Sequence, residues 1–189
     1  MVSAEDAICI HRYLDTHAIM VWMVGGWGID ALLEKQSRTH EDLDMLMLLD
    51  DVRRMCAILQ DDGFMLKEIW SENRWAIDGR GLQTLTAFVL IDARGRELDL
   101  HAMRLDELGN GIPCWETEPG FIFTREDLRA VGRISGLPVR CITPDKQVLC
   151  HTGYQLPEKQ VSDLLQLQVK FGVELPREHS RLSSSGKSG

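Results

Sequence analysis

The sequence predicts one α+β domain over residues 1–176, with a short C-terminal helical extension at about 144–172. Three observations lead to this prediction. The chain has 189 residues, which is about the size of one domain. Apolar residues recur at helical spacing in some stretches and alternate, or form short runs, in others. Near the C-terminal end, Pro144 and Pro157 each stand where proline favours the first turn of a helix.

The N-terminal third predicts alternating helices and strands. Ser3 and Asp6 resemble a capping box, which marks the start of a first helix. A short apolar run, partly β-branched, then stops at Gly25 and Gly26, which indicates a buried strand that ends in a tight turn. The predicted elements are a helix over 3–17, a strand over 19–24, a helix over 27–35, a strand over 42–49 and a helix over 51–62.

The remaining patterns predict strands and then the terminal helices. Turn-forming residues at 92–95 and at Gly136 each indicate an antiparallel hairpin. Residues 104–120 contain prolines and glycines and are expected to be irregular. The predicted elements are strands over 64–70, 74–77, 82–91, 97–103, 131–135 and 137–142, and helices from 144 to about 151 or 154 and over 157–171. Residues 177–189 include no apolar run and are expected to form a disordered tail.

The charge and the cysteines limit the classes of function. The chain has 21 basic and 29 acidic residues and a net charge of −8, which disfavours a protein that binds nucleic acid by neutralising phosphates and favours a cationic small molecule. The five cysteines are scattered without a C-x-x-C pair, so we expect reduced, mostly buried thiols. No apolar stretch approaches the roughly 20 residues of a membrane span, and the N-terminus is acidic, so we predict a soluble cytoplasmic protein without a membrane partner.

Two glycines and two aspartates form the most informative stretch. Gly25 and Gly26 lie between a predicted strand and a helix, where the missing Cβ atoms and the helix N-terminus suit a phosphate. Asp42 and Asp44 are two residues apart on a predicted strand, so their side chains point to the same side. Because two such carboxylates repel each other, a hard divalent cation such as Mg²⁺ is a natural companion. The alternative is a solvated strand face.

A third carboxylate fits the same site. Glu97, Asp99 and His101 share one face of the strand predicted over 97–103. If this strand lies beside the strand at 42–49, Asp99 completes a three-carboxylate metal site or acts as the general base for a substrate hydroxyl. Spacing alone does not show that the strands are neighbours, and a solvated face remains the alternative.

The ordered combination of these motifs resembles a known family. Gly25-Gly26, then Arg38-x-His40-x-Asp42-x-Asp44, then Leu98-Asp99-Leu100-His101 and a late segment at 150–154 are similar to the antibiotic nucleotidyltransferases of the polymerase-β-like superfamily. The resemblance favours the lincosamide enzymes over the 2''-aminoglycoside adenylyltransferases. It implies the nucleotidyltransferase fold, a mixed β-sheet flanked by helices.

The resemblance also implies an activity and roles for individual residues. The activity is Mg²⁺-dependent transfer of AMP from ATP to a hydroxyl of a small antibiotic. Asp42 and Asp44 would hold the metal ion, and Asp99 would join them or deprotonate the acceptor. The phosphates would approach Gly25 and Gly26, and the implied balancing charges are those of Arg38 and His40.

Some assignments stay open at this stage. Trp27, His101 and Tyr154 are weak candidates for substrate contacts, and packing in the interior is the alternative for each of them. Two other functions remain as hypotheses: a nucleotidyltransferase that modifies a protein or RNA, as in toxin–antitoxin pairs, and a nucleotide-binding module without catalysis. The oligomeric state is open, with a homodimer as one alternative.

Overall fold

The computed structural model describes residues 1–152 and 156–176. Within them, five helices and ten strands follow one another along the chain. The helices are α1 (Ala4–Thr16), α2 (Gly25–Leu33), α3 (Val52–Asp61), α4 (Pro144–Cys150) and α5 (Glu158–Phe171). The strands are β1 (Val21–Met23), β2 (Asp42–Leu48), β3 (Met65–Ile69), β4 (Ala76–Ile77), β5 (Gln83–Thr84), β6 (Ala87–Ile91), β7 (Glu97–Leu105), β8 (Gly111–Pro113), β9 (Val131–Ile134) and β10 (Leu137–Arg140).

A six-stranded mixed sheet forms the centre of the molecule. Its strand order is β1-β2-β7-β6-β3, and β8 adds to β7. β2 and β7 pair in parallel, whereas the other pairs in this sheet are antiparallel. The α+β class and the mixed sheet flanked by helices are therefore confirmed. The predicted hairpins are also present, as β6–β7 and as the separate two-stranded sheet β9–β10.

The alternation along β2 decides which face of the sheet is buried. Leu43, Met45 and Met47 are fully buried and pack with apolar residues of α1 and α3 in the main core. Asp42 and Asp44 are only half-buried and point to the opposite face, because side chains alternate along a strand. The hydrophobic effect on one face therefore fixes the acidic side chains on the other.

Helix α1 begins as the sequence predicts. The Asp6 backbone N–H donates to Ser3 Oγ at 3.1 Å, and the Ser3 N–H donates to Asp6 Oδ2 at 3.2 Å, which is the reciprocal pattern of a capping box. Asp6 also forms ion pairs with Arg94 and Arg96 in the β6–β7 turn. The cap thus joins the first helix to the sheet.

Several predicted boundaries are wrong, and each has a local cause. Helix α2 begins at Gly25 rather than at Trp27, so the two glycines belong to its first turn. The strand predicted over 82–91 is divided into β5 and β6, because Asn73 Oδ1 accepts the N–H groups of Thr86 and Ala87. A strand, β8, also forms within the stretch predicted to be irregular.

The C-terminal helices pack against α2, as the predicted extension requires. Ile29 of α2, Val148 of α4 and Leu164 of α5 belong to a second apolar cluster. The predicted tail at 177–189 and the candidate Tyr154 lie outside the described residues.

The cysteines are less buried than predicted. Cys141 alone of the five is buried, and Cys9 is exposed. All five are free thiols, and burial raises the pKa of Cys141 to about 12. In the described part of the chain, no helix combines the length and the apolar character needed to cross a membrane.

Candidate active site

A cleft of about 530 Å³ opens above the acidic face of the sheet. This volume lies in the usual range for small-molecule sites. Its floor is formed by Gly25, Gly26, Asp42, Asp44 and Leu46, and Arg38, Glu41, Lys159 and Gln160 stand along one side. The remaining lining includes Glu72, His101, Trp115, Glu118, Phe121, Phe123 and His151.

Gly25 and Gly26 are required by close contacts at the start of α2. Gly25 has a φ of +58°, and a Cβ at this position would collide with the Asp44 carboxylate. A Cβ on Gly26 would collide with the His40 ring and approach Arg38 Nη2. No side chain caps the N-terminus of α2, so its first N–H groups are available to an anion. The structure therefore places this glycine turn, with its uncapped N–H groups, directly against Asp44.

The parallel pairing of β2 with β7 brings the three predicted aspartates together. Asp44 is the register partner of Asp99, and Asp42 is the partner of Glu97. Burial raises the pKa of Asp44 well above its usual value, and the charges of Asp42 and Asp99 raise it further. A divalent cation would relieve this repulsion, so the Asp42–Asp44 pair fits a hard ion such as Mg²⁺.

Asp99 is engaged by its neighbours. Its Oδ1 accepts the indole N–H of Trp70 at 2.9 Å and lies 3.3 Å from His101 Nδ1. Within residues 1–152 and 156–176, no three His, Cys, Asp or Glu side chains are arranged closely enough to hold one metal ion. The three carboxylates are thus adjacent without forming a ready-made metal cluster. Burial raises the pKa of Asp99 as well, and its side chain remains 17% exposed.

Arg38 lines the cleft beside the glycines, as predicted. Its side chain is 22% exposed, and it forms an ion pair with Asp163 of α5. The loop before it is held by Asp30, whose Oδ1 accepts both the N–H and the hydroxyl of Ser37. Helix α2, through Asp30, and helix α5, through Asp163, therefore both determine where Arg38 lies.

Two predicted site residues lie in the interior instead of the cleft. His40 is 2% exposed, and its Nε2 lies 2.5 Å from Asp30 Oδ2. Trp27 is 1% exposed, and its ring packs 4.7 Å from the His40 ring. Both rings pack beneath the glycine turn, so burial does not favour a direct contact of either with a ligand in the cleft, and their predicted roles stay predictions. His101, by contrast, lines the cleft.

The far wall of the cleft includes residues that sequence reasoning missed. The Trp115 ring stands edge-on to His101 at 4.9 Å, and Glu72 Oε1 lies 3.5 Å from His101 Nε2. Lys146 lies 4.8 Å from the centre of the Phe121 ring, which also lines the cleft. Trp115 and Phe121 belong to an irregular stretch, Glu72 to the loop before β4 and Lys146 to α4, so no periodicity links them. The aromatic residues of the irregular stretch were the one sequence feature that pointed to this wall.

Comparison with known proteins places the chain in a family. The family profile described as aminoglycoside-2''-adenylyltransferase matches residues 7–167. A lincosamide resistance protein of Staphylococcus haemolyticus is 25% identical over 167 residues, which cover 88% of this chain and 95% of that protein.

Two solved structures are similar over nearly their full length. The lincosamide antibiotic adenylyltransferase LnuA, with lincomycin bound, has a TM-score of 0.72 at 24% identity, and the match covers 88% of this chain and 97% of LnuA. ANT(2'')-Ia, in complex with adenylyl-2''-tobramycin, has a TM-score of 0.68 at 18% identity, covering 96% and 95%. These likenesses show the nucleotidyltransferase fold. With its glycine turn, adjacent aspartates and matching family profile, this chain belongs to the aminoglycoside-2''-adenylyltransferase family and is a nucleotidyltransferase.

Proposed function

We propose that this protein transfers AMP from ATP to a hydroxyl group of a small antibiotic, with Mg²⁺ as cofactor, and that lincosamides are preferred to aminoglycosides. The observation that supports this most directly is the position of Asp42 and Asp44 against the Gly25–Gly26 turn, with Asp99 in register beside them. Such a site combines a metal-binding pair with backbone N–H groups for phosphates.

The residues of the cleft have separate roles in the transfer of AMP. Asp42 and Asp44 would hold Mg²⁺, which supplies charge neutralisation when bound. The first turn of α2 and Arg38 bind and orient the phosphates. Asp99 accepts the proton of the acceptor hydroxyl; its raised pKa suits a general base. A bond forms between the acceptor oxygen and the α-phosphorus, the bond from that phosphorus to the β-phosphate oxygen breaks, and pyrophosphate leaves.

The preference for lincosamides is supported by the far wall of the cleft. Trp115, Phe121 and Leu149 provide apolar surface, and Glu72 and Glu118 provide negative charge. An amphiphilic drug with one amine and an apolar ring system fits this mixture better than a polyamine sugar, which buries few apolar atoms. The same negative charge disfavours RNA as an acceptor.

The test is incubation with ATP, Mg²⁺ and a panel of lincosamides and aminoglycosides, followed by mass spectrometry. We expect an AMP adduct on lincosamides and release of pyrophosphate, and neither product with the Asp44→Asn variant. A panel in which no drug acquires AMP would contradict the proposal, and labelling of host proteins from radioactive ATP in a parallel sample would favour a macromolecular acceptor. Transfer to aminoglycosides alone would reverse the substrate preference.

A further inference from the structure

Asp163 on the second turn of α5 holds Arg38 through an almost completely buried carboxylate. Asp163 is 2% exposed. Arg38 Nε donates to Asp163 Oδ2 at 2.9 Å, and Arg38 Nη2 lies at the same distance from this oxygen. The guanidinium therefore turns one whole edge to the carboxylate, and charge-assisted contacts of this kind are the stronger class of hydrogen bond.

Two N–H donors on the other edge of the guanidinium are available to a ligand in the cleft. Nη1 donates one hydrogen to the Thr39 carbonyl at 3.1 Å. Of the five N–H hydrogens of an arginine, the second hydrogen on Nη1 and one on Nη2 have no protein acceptor among the described residues. Because Arg38 lines the cleft at Gly26, these two donors are available to an anion there.

Lys159 and Asp163 lie on the same face of α5. Lys159 and Gln160 in its first turn line the cleft, and Asp163 follows Lys159 by four residues, which places both on the same side of a helix. Ser37 Oγ lies 3.3 Å from Asp163 Oδ1, so the carboxylate also contacts the loop that leads to Arg38. Neither the family motifs nor the sequence pattern marks Asp163 as part of the site.

We propose that Asp163 is a positioning residue for nucleotide binding: it fixes the Arg38 guanidinium so that its two remaining donors face the phosphates of ATP. The inference rests on the proposed function in that ATP is taken as the nucleotide. Arg38 has a long side chain, and ordering such a chain only upon binding costs conformational entropy. Asp163 removes most of this cost in advance.

The test is ATP affinity, measured by isothermal titration calorimetry without antibiotic, together with KM and kcat for the transfer reaction. Asp163→Asn is expected to weaken ATP binding and raise the KM for ATP about tenfold, with a smaller change in kcat. In an Arg38→Ala background the same substitution is expected to have no further effect, because residues that act through one another are not additive.

Asp92→Asn is the matched control. Asp92 holds Arg96 through Nε at 2.7 Å and Nη2 at 2.6 Å, and the Asp92 side chain is also largely buried, at 5% exposed, but this pair lies in the β6–β7 turn and is not among the residues that line the cleft. Both variants are expected to lower Tm, and only Asp163→Asn should weaken ATP binding.

Three results would overturn the inference. They are an unchanged ATP affinity in Asp163→Asn, an equal loss in Asp92→Asn, and an additive loss in the Arg38→Ala background. Failure of the proposed function is distinguishable: if no drug is adenylylated but ATP binding still depends on Asp163, the acceptor is wrong and the positioning role stands. A wild-type protein that binds no ATP would contradict both.

Discussion

At the scale of single residues, Asp44 is the side chain that most favours a bound cation. Its carboxylate lies against the Gly25 backbone, beside two other aspartates, and its pKa is raised by burial and by their charges. An ionised Asp44 therefore destabilises the folded protein as long as no cation is bound. Activity and stability make opposite demands on this residue.

The Asp44→Asn variant should separate the effect of Asp44 on activity from its effect on stability. We expect kcat to fall at least about 100-fold, because the proposed Mg²⁺ site would lose a ligand. Since the folded-state pKa of Asp44 is above that of the unfolded chain, the wild type loses stability as pH rises from about 4 through the folded-state value. Without divalent cations, Asp44→Asn should therefore have the higher Tm at about pH 8, and this advantage should shrink towards about pH 4.

Thermal unfolding of both proteins with and without Mg²⁺ checks this expectation. Mg²⁺ should raise the Tm of the wild type and leave that of Asp44→Asn nearly unchanged, because binding to the folded state alone stabilises it. A variant that is less stable than the wild type at neutral pH without cations would show that Asp44 contributes to packing instead of to repulsion.

Gly25 offers a second prediction at this scale, and Gly63 is its control. Both have positive φ angles, +58° and +87°, but a Cβ on Gly25 would collide with Asp44, whereas one on Gly63 would meet no atom within 4 Å. Alanine at either position should cost about 1–2 kcal/mol of unfolding free energy, as measured by denaturant titration, because an L-residue is strained at positive φ, and the collision should add to this cost at Gly25. Gly25→Ala alone should also abolish transfer, since Asp44 must move. Equal activity in the two variants would contradict the collision.

At the scale of elements, α2 is held from several sides. The β9–β10 hairpin approaches so closely that a Cβ on Gly132 would collide with the backbone of Ala31. On another side, Gly28 of α2 leaves room for the buried Gln147 of α4. The position of the glycine turn at the start of α2 therefore depends on β9 and α4, which are distant in sequence.

Gly132→Ala tests this dependence. Overpacking at a tight contact costs about 1–3 kcal/mol, so we expect a loss of this size in unfolding free energy and an increase in the KM for ATP as α2 is displaced. Gly120→Ala is a suitable comparison, because Gly120 lies in the loop between Glu118 and Phe121, which line the cleft, and a Cβ there would meet nothing within 4 Å. It is expected to show a backbone penalty without the change in KM, and a KM unchanged in Gly132→Ala would mean that α2 does not move.

The elements also show what sequence patterns can and cannot predict. The alternation in β2 and β7 places their acids on one face, because the intervening leucines and methionines must be buried. The parallel register that sets Asp44 opposite Asp99 is not encoded in local spacing; the family resemblance alone pointed to it. Asp163 was missed because its role comes from a tertiary contact with Arg38, which leaves no periodic pattern on α5.

At the scale of the whole molecule, the excess of acids is concentrated where it affects binding. Among the described residues that line the cleft, five are acidic: Glu41, Asp42, Asp44, Glu72 and Glu118. Arg38 and Lys159 are the arginine and lysine residues in this lining. The net charge of −8 adds a long-range field of the same sign, which attracts cations. The composition and the cleft lining therefore both favour a cationic acceptor, and neither identifies it.

If this field attracts a cationic acceptor, kcat/KM should depend on the salt concentration. Raising the ionic strength from about 0.01 M to about 1 M shortens the screening length from about 30 Å to about 3 Å. For an acceptor with a protonated amine, we expect kcat/KM to fall about tenfold over this range, and an uncharged N-acylated analogue should be nearly insensitive. Steady-state rates at saturating ATP provide the measurement. If kcat/KM changed equally with ionic strength for the two acceptors, electrostatic attraction of the acceptor would play no part.

The ion pair between Arg38 and Asp163 also bears on how the protein is made. Its partners are 125 residues apart, and such long-range contacts form late because a large loop must close first. During synthesis, the strands through β10 leave the ribosome before α5 does, and the sheet has its own apolar core. A nascent chain can therefore fold most of its domain while Arg38 is still unanchored. If Asp163 positions Arg38 for the nucleotide, newly made molecules reach their full affinity for ATP only when this last helix docks.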